Sequence, residues 1–349
     1  VSPASGPPTG EQAGEAGDGP AAAAPTVALV LGSGGARGYA HIGVIQALRE
    51  AEVEVVSVAG ASMGALVGGL LAAGKLDEFT DWTLGLGQLE VLRLIDLSLS
   101  SPGAIRGEKV FAILADLLGG QRIEELPIDY TAVAVDLLAH REVWFREGPL
   151  DVAIRASAAI PSFFVPVTLN GRVLVDGGVL NPVPVAPVAA SRADRIVAVS
   201  LNGRGNAPER PATESAAPED EAEWSDRLRD AAARWFDSDL LGAVRGRLSP
   251  ELQDSVRARL ASDEAEEPPA HERAEEELRT IDIVQTSLDA MQAALARHRL
   301  AAHPPDLLIS VPKSACRILE FHRAREMIDL GRRLAEDALP DLIGPADPS

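Results

Sequence analysis

The sequence predicts an α/β fold built on a mainly parallel central sheet covered by helices on both faces. Three observations lead there. Short β-branched runs alternate with helix-length segments, the pattern of βα units. Two of the early strands run into glycine-rich turns that open directly onto helices. Hydrophobic residues make up 46% of the 349 residues, at a mean hydropathy of +0.06, enough to cover both faces of a sheet.

The elements follow in order. Residues 1–25 contain Pro, Gly, Ala and acidic residues without apolar periodicity, the composition of a disordered tail. Val27–Leu31 (VALVL) is predicted as a strand, Gly32–Gly38 as a glycine-rich loop and Tyr39–Glu50 as a helix. A buried strand at Val53–Ala59 then leads through Gly60-Ala61-Ser62-Met63-Gly64 into a small-residue helix, Ala65–Ala73. Further strands are expected at Tyr130–Leu137, Glu142–Phe145, Val173–Val175 and Arg195–Ser200, with helices at Glu108–Leu118 and Pro184–Ala190. Residues 26–202 would form the core.

Composition changes after Asn202. Gly203–Asp220 is rich in Pro, Ala and Glu, helical patterns follow at Glu223–Phe236 and Pro250–Ala261, and Ser262–Glu277 holds eight acidic residues and one Arg. Residues 203–280 are therefore expected to be an acidic, partly disordered helical insertion, solvated and without chemistry. Globular patterning resumes with a helix from about Glu275 to Arg299, a strand at Asp306–Val311 and a helix at Glu320–Ala338. On this reading residues 281–349 complete the same domain.

Charge and cysteine content narrow the function. The net charge is −20, and residues 26–203 carry 19 acidic and 13 basic residues. No Lys/Arg stripe marks a nucleic-acid partner, and strong adsorption to anionic lipid is disfavoured. A single cysteine, Cys316, allows neither an intrachain disulfide nor a cysteine-based zinc site. The uncharged stretch Val55–Gly74 has the length of a membrane span, but its glycines and Ser62 fit a strand packed against a helix better. No cationic, apolar signal segment opens the sequence, and a start at Val1 leaves room for a leader removed upstream. A cytoplasmic location, or a peripheral one at the inner membrane surface, is expected. Oligomeric state is not legible.

Gly60-Ala61-Ser62-Met63-Gly64 has the form of a nucleophile elbow. The flanking Gly60 and Gly64 remove Cβ atoms from a sharp turn, and the following helix N-terminus offers unpaired N–H groups to a developing oxyanion. The loop Gly32-Ser33-Gly34-Gly35-Ala36-Arg37-Gly38 lacks the GK[ST] ending of a P-loop. It also fits GxGxxG poorly, and the second strand ends in Ala59-Gly60 rather than an acid, so a dinucleotide site is disfavoured. An oxyanion cradle remains, because consecutive glycines let backbone amides converge.

A serine hydroxyl needs a base. His271, His298, His303 and His322 follow Ser62 and lie in acidic, Pro-flanked or arginine-rich surroundings. His41 lies on the first helix, where packing explains it as well as catalysis does. A histidine triad stays open but unfavoured. Asp176 is the better candidate: the apolar run Val173–Val175 delivers it into Gly177-Gly178, at a strand end expected to face the rim of the elbow. Asp before Gly also commonly bonds its own turn.

Together GSGGARG, GASMG and the later DGG resemble the patatin-like phospholipases, especially bacterial members related to neuropathy target esterase. Ala156–Pro161, with Phe163, Phe164 and Pro166, resembles the segment preceding DGG in that family. The resemblance covers about residues 27–202, and the late MQ…RHRL…PPDLLI run is similar to the family's C-terminal part. It implies a patatin-like fold and a Ser–Asp dyad, with Ser62 as nucleophile and Asp176 as base. It also implies an oxyanion hole from the Gly34, Gly35 and Ala36 amides. Arg37 matches a basic loop position with a loop-fixing role, and Ser33 replaces the family's first loop glycine while keeping its amide. No cofactor or metal is implied. Expected partners are a lipid ester substrate and, transiently, a membrane or micelle surface met through apolar contact, with Phe163, Phe164 and Val165 near the rim. The alternatives are a Ser-His-Asp esterase and a non-catalytic lipid-binding or regulatory module of the same fold.

Overall fold

The structure, a computed structural model, describes residues 25–87, 90–91, 94, 108–161, 163–203 and 280–343. The expected tail up to residue 24, the helices at 223–236 and 250–261 and the acidic segment 262–277 lie outside the described residues.

Eight strands form one sheet among the described residues. They are β1 (Thr26–Leu31), β2 (Glu54–Ala61), β3 (Asp129–Asp136), β4 (Arg141–Phe145), β5 (Val167–Leu169), β6 (Arg172–Asp176), β7 (Arg195–Gly203) and β8 (Leu307–Pro312). Their order is β5-β6-β3-β2-β1-β7-β8, with β4 paired to β3. The ladders joining β3, β2, β1, β7 and β8 are parallel, and those involving β4, β5 and β6 are antiparallel.

Period-2 alternation decides which side chain faces which layer. Val27, Leu29 and Leu31 of β1 and Val197, Val199 and Leu201 of β7 enter the larger core cluster. That layer is closed by α1 (Ala40–Glu50), α2 (Met63–Ala72), α3 (Leu76–Leu84), α4 (Glu108–Leu118), α5 (Leu150–Ser157) and α7 (Ala324–Ile343). The intervening Ala28, Val30 and Ala198 face a smaller cluster with Val183, Val185, Val188 and Ala296 of α6 (Thr280–Ala302). Helices thus cover both faces. α1 and α7 meet closely: a Cβ on Gly43 would collide with the Ile328 carbonyl, and one on Gly331 with the Ala40 carbonyl.

Several elements differ from expectation. The run at Pro184–Ala190 forms only a 3-10 turn, Ala186–Val188, because Pro184 and Pro187 lack the N–H groups a helix interior needs. A 3-10 turn at Gly35–Tyr39 precedes α1, which begins at Ala40. β2 continues to Ala61, which puts Gly60 inside the strand, and α2 starts at Met63 rather than Ala65. The last helix starts at Ala324, after a 3-10 turn at Phe321–Arg323. The uncharged stretch Val55–Gly74 is divided between β2 and α2, and no described helix is long and apolar enough to cross a membrane.

Candidate active site

Strand pairing alone brings Ser62 and Asp176 together. β3 carries β4 along one side. Along the other side β2 occupies Asp129–Val133, and β6 then takes over at Ala134–Asp136. The two strands approach from opposite directions and meet nose to nose. β2 ends with Ala61 opposite Val133, and β6 ends with Asp176 opposite Ala134. β6 runs antiparallel to β3 and descends from the rim, so the carboxylate reaches the elbow from above. Gly177 lies at the junction, where an added Cβ would strike the Val133 carbonyl and stand 3.2 Å from the Ala61 Cβ.

Ser62 bridges strand and helix at φ 56, ψ −125, a region that costs a non-glycine residue about 1–3 kcal/mol. Three contacts hold it there. Its N–H donates to the Ser157 Oγ at 3.0 Å, and that hydroxyl in turn donates to the Val133 carbonyl at 2.6 Å. The Ser62 carbonyl accepts from Leu66 N–H within α2 at 3.1 Å. Ser62 is 3% exposed.

Asp176 is as deeply placed. Its N–H donates to the Ala159 carbonyl at 2.9 Å, so residues 157 and 159 fix the backbones of both Ser62 and Asp176. Oδ1 accepts the Gly178 N–H at 2.7 Å, closing the turn. Burial pushes the carboxyl pKa up to about 6, while the Ser62 hydroxyl and the Gly178 amide hold it down. Ser62 lies beside this carboxylate, and among the described residues Oδ2 is buried without a hydrogen-bond partner. An unpaired carboxylate oxygen beside a hydroxyl is a proton acceptor in waiting.

The glycine loop lies across the end of β1. Gly32 N–H donates to the Val199 carbonyl at 2.9 Å and Ser33 N–H to the Pro182 carbonyl at 2.8 Å. Gly35 sits at φ 57, the left-handed region that glycine enters without steric cost. Of the three expected oxyanion donors, Ala36 is corrected: its N–H is bonded to the Ile318 carbonyl at 2.9 Å. The Gly34 and Gly35 amides meet no such carbonyl among the described residues. Gly178 abuts Ser33, whose Cβ is 2.7 Å from where a Gly178 Cβ would stand, so loop and acid turn are in contact. Gly64 packs its Cα against the Leu31 and Gly32 carbonyls, and Gly38 packs against Met63.

Arg37 is buried beneath the loop and donates to the carbonyls of Lys313 (3.1 Å) and Cys316 (3.5 Å). Burial lowers its pKa, opposed by the charge of Asp289. Tyr39 stacks edge-on against Phe321, with centroids 6.1 Å apart. Residues 313–321 therefore strap the loop from the far end of the chain.

The described histidines form no triad with Ser62 and Asp176. His41 is fully buried and donates Nε2–H to the Gly32 carbonyl at 2.8 Å, leaving Nδ1 without a partner. Burial pushes its pKa down to about 4, against the pull of the Gly32 bond. His298 and His303 are exposed, His271 lies outside the described residues, and no described histidine bonds Ser62 or Asp176. Cys316 is no rival nucleophile, since burial pushes its thiol up to about 12. Phe163 and Phe164 are half-buried and Val165 is exposed. Phe164 stacks on Phe111, with centroids 5.7 Å apart, so it packs against α4.

Sequence reasoning missed Ser157 as a contact of Ser62. A signal existed: a lone hydroxyl in the apolar run Ala156–Ile160 must find a partner once buried.

The family described as patatin-like phospholipase matches residues 29–189. The Mycobacterium tuberculosis H37Rv protein named "Uncharacterized NTE family protein Rv1063c" is 47% identical over 333 residues, spanning 90% of this chain and 91% of the relative. Patatin-like phospholipase domain-containing protein 7 of Mus musculus is 29% identical over 185 residues, 51% of this chain and 14% of that protein. The crystal structure of VipD from Legionella pneumophila aligns with 91% of this chain and 68% of its own at a TM-score of 0.46 and 15% identity.

Proposed function

Because the chain belongs to the patatin-like phospholipase family, among its NTE-related members, we propose that it hydrolyses acyl esters of phospholipids or lysophospholipids with Ser62 and Asp176. The family itself implies lipid acyl hydrolysis. The finer reading is carried by one observation: a strained serine meets a carboxylate whose Oδ2 is buried and unpaired.

In this mechanism the Ser62 Oγ attacks the ester carbonyl while Asp176 Oδ2 accepts the hydroxyl proton. The carbonyl oxygen becomes an oxyanion, held by the Gly34 and Gly35 amides. Collapse expels the alcohol, to which the protonated Asp176 returns the proton, and leaves an acyl group on Ser62. Water then attacks the acyl-enzyme, again giving its proton to Asp176, and fatty acid leaves as Ser62 is restored. Ser62's own N–H is engaged by Ser157, so the cradle draws on the glycine loop. The raised pKa of Asp176, about 6, keeps it ionised near neutrality yet basic enough to accept a proton. Residues 26–202 and 281–349 form the catalytic domain, and the lipid ester is met at a membrane or micelle surface.

The test is product analysis after incubating a mixed lipid extract with wild-type and Ser62→Ala protein. Fatty acid release by wild type alone supports the reading. No release from lipids or from a p-nitrophenyl ester by folded wild type favours a non-catalytic lipid-binding role instead.

A further inference from the structure

Two hairpin turns stand side by side above the Ser62–Asp176 junction. Leu137–His140 joins β3 to β4, and Asn170-Gly171 joins β5 to β6. The ladder continues between them, with Leu137 N–H donating to the Val173 carbonyl at 2.8 Å. Both turns consequently point in the direction of the β2 and β3 C-termini, toward the rim of the site.

Their composition is unusual for this chain. Leu138 is 72% exposed and Leu137 42%. Ala139, His140, Arg141, Asn170, Gly171 and Arg172 are exposed around them. Neither turn contains an acidic residue, in a protein of net charge −20. The two flanking carboxylates are turned inward and paired: Asp136 is buried, accepts the Ala139 N–H at 3.1 Å and lies 4.0 Å from the Arg172 Nε, and Glu142 is half-buried against Arg299. The turns are also set in shape. His140 (φ 52), Asn170 (φ 50) and Gly171 (φ 75) occupy the left-handed region, and Asn-Gly is the pairing a two-residue hairpin turn requires.

We propose that these paired tips are the surface by which the protein docks onto an anionic lipid bilayer, with Leu137 and Leu138 entering the acyl boundary and Arg141, Arg172 and His140 facing headgroup phosphates. Charge complementarity selects this occupant. An acidic body is repelled by an anionic surface, so a patch whose exposed charged side chains are Arg141 and Arg172 sets the orientation of approach. Exposed leucines among cations suit an interface that is apolar below and phosphate-bearing above. Placement agrees: Leu138 lies two residues past the end of β3, on the rim side of Ala134, which pairs with Asp176, so docking presents the rim with Ser62 to the bilayer. Net charge alone leads to an expectation of apolar contact without electrostatic attraction; the proposed patch adds a local cationic component, which the anionic vesicles test.

The inference rests on the lipid-ester reading only for its choice of partner, and binding is measured without turnover. Ser62→Ala protein is sedimented with vesicles of phosphatidylcholine alone or mixed with phosphatidylglycerol. The Leu137→Ser/Leu138→Ser pair should lower partitioning onto the mixed vesicles by about tenfold or more. Arg141→Gln/Arg172→Gln should lower it by about tenfold on the anionic vesicles only. In the Ser62-containing protein both pairs should leave turnover of a soluble p-nitrophenyl ester, and the melting temperature, at wild-type values. Unchanged partitioning in both pairs overturns the proposal, as does wild-type partitioning that ignores phosphatidylglycerol. A leucine pair that changes only the gel-filtration size overturns it in favour of self-association. Vesicle binding with no ester turnover would fault the catalytic reading and leave the docking surface standing.

Discussion

The two halves of the site are held by different parts of the chain. Ser62 and Asp176 are fixed from within the family-matched region, by Ser157 and Ala159 of a single short segment. In the glycine loop Gly32 and Ser33 bond to Val199 and Pro182, but Ala36 and Arg37 are held from about 280 residues away in sequence, by the Lys313, Cys316 and Ile318 carbonyls. Ser62 and Asp176 thus form a buried unit, while the loop proposed as the oxyanion cradle is tied to residues 313–318. Ile318 also occupies the Ala36 amide, which leaves Gly34 and Gly35 as the proposed donors.

Substitutions can separate the two halves. Ser62→Ala should abolish ester hydrolysis, a loss on the order of 10⁴-fold or more, read as fatty acid release. Asp176→Asn should cost about 10³- to 10⁴-fold in kcat, since it removes the base while Oδ1 can still close the turn. Ser157→Ala should lower kcat by about 10- to 100-fold with KM little changed, because the strained elbow loses its clamp. Partial recovery in Ser157→Cys would tie that loss to the hydrogen bonds, and an unchanged kcat in Ser157→Ala would remove the clamp from the account. Arg37→Gln should act through the other half, with a loss of about tenfold in kcat and a lower melting temperature, since buried carbonyls lose their donor. If Arg37→Gln left both values at wild type, the strap would be incidental to the loop.

The smallest effect at neutral pH comes from His41. Its folded pKa, about 4, lies below the ordinary value of 6.5, so the unfolded chain takes up the proton first. The stabilisation is complete above pH 6.5 and is lost as pH falls toward 4, on the order of 3 kcal/mol in total. Thermal melts across that range should show the loss in wild type and a flatter profile in His41→Gln.

Much of this was legible from sequence where local chemistry dictates structure. The elbow, the glycine loop and the DGG turn are short-range motifs, and β1, β2, β3 and β7 are apolar runs that only a buried sheet accommodates. What escaped depends on tertiary pairing. That β6 runs antiparallel and meets β2 head-on is a property of the β3 ladder, not of VLVDGG. The occupation of Ala36 required Ile318, which no spacing connects to the loop. Prolines overrode the apolar pattern at Pro184–Ala190, where missing N–H groups outweigh helical periodicity. The small-residue run at Ala156–Pro161 gave no sign of which backbones it would hold.

The central claim is that Asp176 activates Ser62, and the pH dependence of active-site labelling tests it most directly. Fluorophosphonate labelling of wild type should map to Ser62, with a rate that rises about tenfold per pH unit and levels off above about pH 6. Asp176→Asn should label far more slowly and without that rise. Labelling of Asp176→Asn at the wild-type rate with the same pH profile, or an adduct on a serine other than Ser62, would contradict the account.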